Sequence, residues 1–275
     1  MENKIFYHYT DFQALDGILR CAQLRVNNVL RMNDSAEMRH FMIRLCRAIT
    51  ARLEKDGNAE QAQIMEKMFR EELQKEYSAF AACFSFRRDD AAQWERYGNR
   101  GRGVCIAFRG GLLRKIAVGP LSLHTVFYED DMTGHPMVDR FCALVREKSV
   151  LSRDDEELGR AMRDAWACSV AFKHPSFSSE DEVRLVVSPF GSESLDIQPC
   201  YHISKERIKK YYPLDLRNMC RNAGADLQDL IEEIVIGPES TQSQTILQDY
   251  LRDQGLTALS ERVAMSDCPL RGMPV

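Results

Sequence analysis

The stretch best suited to chemistry by residue type and spacing runs from Phe177 through Glu180, Asp181, Glu182, Val183, Arg184 and Leu185 to Val187. On a strand, side chains alternate between faces. Glu180, Glu182 and Arg184 would then share one face, with Asp181, Val183, Leu185 and Val187 on the other, which is mostly core-like. Carboxylates two residues apart stand roughly 7 Å from each other along a strand. Two of them beside a guanidinium suit general acid–base work or the stabilisation of a developing cation. The plainer account is a solvated face carrying a Glu182–Arg184 ion pair, since charge alternation is common on half-buried strands.

Other candidates are weaker alone. His8 lies in an aromatic strand pattern, Phe6-Tyr7-His8-Tyr9-Thr10, and would face the side of Phe6 and Thr10. A lone strand histidine is more often a satisfied core or edge residue. Asp34, followed three residues later by Glu37, has the form of a capping box, and Asn33 before it suits a turn. Trp94 and Tyr97 share a helix face and precede Gly98-Asn99-Arg100-Gly101-Arg102-Gly103. Those glycines permit close backbone approach and the arginines suit phosphate, but a helix end with exposed arginines gives the same pattern. The basic run from Lys205 to Lys210, next to Tyr211 and Tyr212, reads as a solvated surface rather than a nucleic-acid patch.

These residues need elements to hold them. Strand patterns cover 4–9, Gln23–Val26, Ser78–Ser85, Gly103–Phe108, Leu121–Tyr128, Asp181–Val187, Ile208–Tyr212 and Ile231–Ile236. Helical spacing covers 12–21, 34–74 with a break at Asp56-Gly57-Asn58, Asp89–Tyr97, 137–173 with a break at 152–154, and Gln242–Gln254. The pattern places a last strand after Gly255. Neither repeats nor linker-like segments interrupt the series. The expectation is one α+β domain over 1–275, with helical insertions at about 34–75 and 137–173.

Composition adds bounds. The 275 residues carry 37 Lys+Arg against 41 Asp+Glu, a formal net charge of -4. That gives no whole-molecule electrostatic grip on nucleic acid. The closest two of the nine cysteines are 20 positions apart, so no C-x-x-C metal or redox spacing exists, and no metal is expected. Reduced thiols, a polar N-terminus and the lack of an apolar run of ~18 residues predict a cytoplasmic protein without membrane contact.

The order of the motifs is more specific than any one of them. His8-Tyr9-Thr10, Asn33-Asp34-x-x-Glu37, Cys83-Phe84-Ser85, Trp94-x-x-Tyr97, Lys173 through Glu180-x-Glu182-x-Arg184, and Glu233 to Pro238 follow in turn. From about residue 5 to Ser266-x-x-Pro-x-Arg271, this series resembles a large, mostly bacterial family catalogued as a domain of unknown function. Its order is similar to that of the ADP-ribosyltransferase fold, with a first-strand His or Arg, a middle-strand Ser or Tyr and a late-strand Glu. His8 with Thr10 is similar to the His-Tyr-Glu class; Ser85 with Glu180-x-Glu182 is similar to the Arg-Ser-Glu class.

The resemblance implies a split-sheet core and NAD as substrate. It also implies a macromolecular or small acceptor, and roles like those of some toxins and phage-defence proteins. Glu182 would stabilise the ribosyl cation, Glu180 would orient the acceptor, and Ser85 would support Glu182. His8, Tyr9 and Thr10 would hold the adenosine ribose, and Trp94 or Tyr97 would stack on nicotinamide. Asn33, Asp34 and Arg184 complete the implied binding set, and Arg25, Arg31, Arg100 or Arg102 would meet the pyrophosphate. NAD glycohydrolase activity and a non-catalytic nucleotide-binding module are the alternatives.

Overall fold

The computed structural model describes residues 4–29, 37–75, 77–147, 155–187, 190, 196–203 and 208–270. The chain opens with β1 (Ile5–Thr10), α1 (Phe12–Leu19) and β2 (Gln23–Asn28). Asp11 caps α1 by accepting from the Ala14 amide at 2.7 Å, which satisfies one of the helix's first free donors. Then come α2 (Glu37–Lys55) and α3 (Ala59–Glu72), separated by a turn in which Gly57 adopts φ 80°, a conformation that glycine adopts without steric cost. The middle of the chain holds β3 (Phe80–Ser85), α4 (Ala91–Arg96), β4 (Val104–Arg109), α5 (Gly110–Ile116) and β5 (Leu121–Thr125). Next are α6 (Pro136–Glu147), α7 (Glu156–Ser169), a 3-10 turn at Pro175–Glu180 and β6 (Glu182–Val187). The last part is β7 (Cys200–Ile203), β8 (Ile208–Asp215), α8 (Leu216–Asn222), α9 (Leu227–Leu230), β9 (Ile231–Ile236), α10 (Gln244–Asp253), α11 (Thr257–Ser260) and β10 (Val263–Met265).

The strands form one open, mixed sheet with helices on both faces. All ladders are antiparallel except the β9–β10 pair. Period-2 alternation divides the side chains. Phe6, Phe80, Phe84, Val104, Ile106, Val183 and Leu185 join Leu15, Leu113, Leu216 and Leu251 from the helices of one face. Ala81 and Val186 point the other way, into a second core built by α2, α3, α6 and α7 around Phe41, Leu45, Phe69, Phe141 and Trp166. The two expected helical insertions thus pack as one layer on the sheet. Each large apolar side chain buried this way contributes about 1.5–3 kcal/mol.

The sheet divides at β3. One edge of β3 pairs with β6 over its whole length, Phe80↔Val187 through Ser85↔Glu182. Its other edge is shared: β1 meets it at Tyr7↔Ser85, while β2 meets it at Asn27↔Ala81 and Asn28↔Phe80. From there β1 turns away to pair with β4, and β2 to pair with β8. Between these contacts, Ala82, Cys83 and Phe84 have no strand partner on that edge among the described residues. Their backbone polar groups therefore need other partners.

Two expectations change here. Glu180 and Asp181 are not on the strand: Asp181 adopts φ 46° at the end of the 3-10 turn, and β6 begins at Glu182. β6 is also not half-solvated, since all six of its residues are buried. The alternation that suggested a wet face instead marks a charged strip enclosed between layers. The segment after β4, left open by the sequence pattern, forms α5, and β7 pairs with β8 as an edge hairpin. Asn33, Asp34 and Arg31 lie outside the described residues.

Candidate functional site

The split in the sheet opens into a cavity of about 290 Å³. Tyr7, His8 and Tyr9 of β1 line it, as do Ala81 through Ser85 of β3, and Gln93, Arg96 and Tyr97 on or next to α4. Lys173, Glu180, Glu182 and Arg184 close it from the β6 side, and Arg25, Asn27, Asn28, Lys209 and Lys210 from the β2–β8 side. Positions near residues 8, 85 and 182 therefore meet in one place.

The deepest part is an enclosed charge network. Lys173 donates to Glu180 and, at 3.0 Å, to Glu182 Oε2. Arg184 reaches both oxygens of Glu182, with Nε at 2.9 Å and Nη2 at 3.1 Å. Glu180 also accepts from the Tyr97 hydroxyl at 2.8 Å and from Arg96 Nη1 at 3.1 Å. Glu180, Glu182, Lys173 and Arg184 are each between 2% and 5% exposed, so pairing is a condition of burial. Burial alone would raise the Glu182 carboxyl, but the charges of Arg184 and Lys173 outweigh it and hold the group at about 2. Glu182 is thus a carboxylate throughout the working pH range.

Local structure explains each position. Lys173 follows α7 and is pinned by a short parallel bridge: its amide donates to Phe127 O at 2.9 Å, and the Phe127 amide to Ala171 O at 2.8 Å. Arg184 Nη1 donates to Val170 O at 2.7 Å, meeting a carbonyl left free at the C-terminus of α7 where positive charge is favoured. The 3-10 turn and left-handed Asp181 bring Glu180 back beside Glu182. Ser85 fixes that turn rather than supporting Glu182: its hydroxyl donates to Glu180 O at 2.7 Å and accepts from the Arg87 amide at 3.1 Å. Gln93 Nε2 donates to the same carbonyl at 3.1 Å. The Tyr128 hydroxyl accepts from the Glu182 amide at 2.9 Å.

His8 spans the bare edge of β3. Its Nδ1 lies 2.8 Å from Cys83 O, and since a carbonyl only accepts, Nδ1 carries the proton. Burial lowers its basicity, against the opposing effect of that hydrogen bond. The ring is thus a neutral donor that packs on Phe84 and Phe108. Burial and then the Glu182 charge push the Cys83 thiol well up, so it is no thiolate nucleophile.

Tyr9 lines the cavity and anchors α4. Its hydroxyl donates to Arg87 O at 2.7 Å and accepts from the Asp90 amide at 3.0 Å. Trp94 does not reach the cavity. It is fully buried, edge-on to Tyr9 at 4.9 Å between centroids, with Nε1 donating to Asp89 at 2.7 Å; it cannot stack on a ligand. Thr10 also lies outside the lining; at the end of β1 its carbonyl passes against Gly103, where a Cβ would fall on it. Arg100 and Arg102 are exposed and do not line this cavity; of the described arginines proposed for pyrophosphate, Arg25 alone reaches it. Lys173 and Arg96 were missed as site residues. Lys173 was visible in the motif series, but its role depends on the loop bridge to Phe127.

The lining holds six cationic side chains (Arg25, Arg96, Lys173, Arg184, Lys209, Lys210) against two carboxylates, a surplus of four positive charges in a chain whose net charge is -4. Among the described residues no group of three or more His, Cys, Asp or Glu side chains could hold a metal ion, and no helix is long and apolar enough to cross a membrane.

Residues 93–185 match a family described as Protein of unknown function (DUF2971). No curated protein and no solved structure matches the chain. The matched segment runs from Gln93 on α4 to Leu185 on β6, and so contains Tyr97, Lys173, Glu180, Glu182 and Arg184. The β1 and β3 walls and the β2–β8 side come from outside it.

Proposed function

We propose that this cleft binds NAD and cleaves its nicotinamide–ribose bond, on an ADP-ribosyltransferase-like split-sheet scaffold. The observation that carries the reading is the convergence of His8, Ser85 and the Glu180–Glu182 pair on one cavity at the parting of β1 and β2. The cationic surplus of that cavity supports an anionic dinucleotide.

Cleavage breaks the C1′–N bond, and its electron pair leaves with nicotinamide, which departs neutral. The ribose gains oxocarbenium character, as in glycoside hydrolysis. A fixed, ionised carboxylate in a water-poor site is the group such a cation needs, and Glu182 is held ionised. The acceptor oxygen or nitrogen then bonds to C1′, and its proton passes to Glu180. Tyr97 and Arg96 orient Glu180. His8 and the bare carbonyl and amide edge of β3 supply neutral hydrogen-bonding groups for the ribose and the nicotinamide amide.

The Lys173–Arg184 clamp favours a second reading, an anion-binding module without turnover, because two cations already offset much of the Glu182 charge. Incubating the purified protein with adenylate-labelled NAD and a cell lysate separates the two. The lead reading expects nicotinamide release, with label in a macromolecule for transfer or in free ADP-ribose for hydrolysis. Binding without release, unchanged in Glu182→Gln, supports the binding module. Neither binding nor release sinks both.

A further inference from the structure

The β2–β8 side of the cavity differs in chemistry from the glutamate side. Arg25 and Asn27 alternate on β2 with buried Leu24 and Val26, so they share the face turned from the apolar core. Across the ladder, Asn27 pairs with Tyr211, and the Arg25 guanidinium lies over the Tyr211 ring at 4.8 Å. Just before Tyr211 on β8, Lys209 shares the Tyr211 face, while Lys210 alternates to the other face with Nζ over Tyr212 at 5.6 Å and over Phe80 at 5.8 Å; both line the cavity. Among the described residues no carboxylate forms an ion pair with Arg25 or Lys210. On the glutamate side, Lys173, Arg184 and Arg96 are each paired with a carboxylate.

We infer that Arg25, Lys209 and Lys210 form a phosphate-recognising wall of the cleft. The Tyr211 ring helps to hold the guanidinium in place, and the planar fork of N–H donors of an arginine matches the oxygens of a phosphate. Ammonium groups on the neighbouring strand add charge without demanding fixed geometry. Asn27 supplies a neutral side-chain amide beside them. The wall's positive charge is local, since the chain as a whole is anionic, and so it selects ligands that bring their own negative charge to this side. The phosphate has two sources: the dinucleotide's own pyrophosphate, or the phosphodiester of a nucleic-acid acceptor. The link to a dinucleotide rests on the NAD reading; the wall's preference for phosphate does not.

The experiment is calorimetric titration of the wild type and of an Arg25→Gln, Lys209→Gln, Lys210→Gln triple variant. The probes are inorganic pyrophosphate, NAD, nicotinamide riboside (which lacks phosphate) and a short single-stranded RNA. Each lost charge-assisted contact weakens binding by about tenfold, so pyrophosphate affinity should fall at least tenfold in the variant. A matching loss for NAD, with nicotinamide riboside unaffected, assigns the wall to the pyrophosphate of the dinucleotide. Loss for RNA with NAD unchanged assigns it to an acceptor phosphodiester. Pyrophosphate that binds both proteins equally, or does not bind the wild type, overturns the wall. Pyrophosphate binding at the wall without any NAD binding overturns the NAD reading alone. These positions are exposed or half-buried, and circular dichroism checks the variant's fold. Should the variant misfold, the wild type decides: pyrophosphate affinity that does not fall with added salt rejects the wall.

Discussion

On one side of the cleft, Lys173, Glu180, Glu182 and Arg184 are almost entirely buried, and every charge answers another at hydrogen-bond distance. On the other side, Arg25 is exposed and Lys209 and Lys210 half-buried, and Arg25 and Lys210 lie over aromatic rings. The difference follows from solvation. A buried charge must be paired before any ligand arrives, so its geometry belongs to the fold. A charge at the rim keeps its water, costs little to hold, and is free to exchange that water for a ligand's oxygen. The glutamate side is therefore preorganised, and the strand wall is adaptable. Substitutions on the first side should act on stability and chemistry together, and those on the second on binding.

Lys173→Met is the most severe test of that contrast. Removing the cation shared by Glu180 and Glu182 leaves buried carboxylates undercompensated, and urea unfolding at pH 7 should show a loss of about 3–5 kcal/mol. A loss below about 1 kcal/mol would mean that the network is not part of the stability core. The variant should also titrate Glu182 at a higher pH, because one of the two charges that depress it is gone.

Acid titration of the wild type gives the next largest effect. The ordinary glutamate value is 4.5 and Glu182 is held at about 2. As pH falls below about 4.5, the unfolded chain takes up a proton that the folded one refuses. The stabilisation is complete above that pH and is lost on the way down to about 2. At 1.36 kcal/mol per pKa unit the loss is about 3 kcal/mol. Glu182→Gln should lack this component when the two stability–pH curves are subtracted; identical curves would contradict the assignment.

Tyr97→Phe removes the hydrogen bond from the Tyr97 hydroxyl to Glu180 and should cost about 1.5–3 kcal/mol, as for bonds to charged groups. If Glu180 takes the acceptor's proton, the same variant should lower kcat for nicotinamide release more than it alters KM. Lys210→Gln marks the opposite end of the scale. Its effect on unfolding should stay within about 0.5 kcal/mol, and a larger loss would show that the wall is structural and not adaptable.

Much of the frame was legible in the sequence because it rests on local rules. The break at Asp56–Asn58 between α2 and α3 and the core strands β3, β4 and β9 follow from periodicity and turn chemistry. The Glu182–Arg184 pair was legible for the same reason, since i,i+2 neighbours on a strand share a face. Its burial was not, because a charged alternation looks the same whether water or a helical layer covers it. Glu180 was placed on the right side of the cleft by the wrong route. Only the left-handed Asp181 and the 3-10 turn before it bring the carboxylate there, and propensity does not reveal a single αL residue at an aspartate.

The sequence by itself determined which residues could do chemistry and in what order they occur: an early histidine, a serine closing an apolar strand, then two glutamates with an arginine. It also determined the two-sided alternation that makes a layered α/β molecule, because apolar periodicity is a property of neighbours. Tertiary structure alone decided that β1 and β2 part along one edge of β3, since strand pairing is set by residues tens of positions apart. Tertiary packing also placed Trp94 in the core against Tyr9 and Asp89, and the bridge to Phe127 made Lys173 the hub of a charge network. The parting also made the basic strand at Lys209–Lys210, which the sequence presented as a solvated surface, a wall of the cleft.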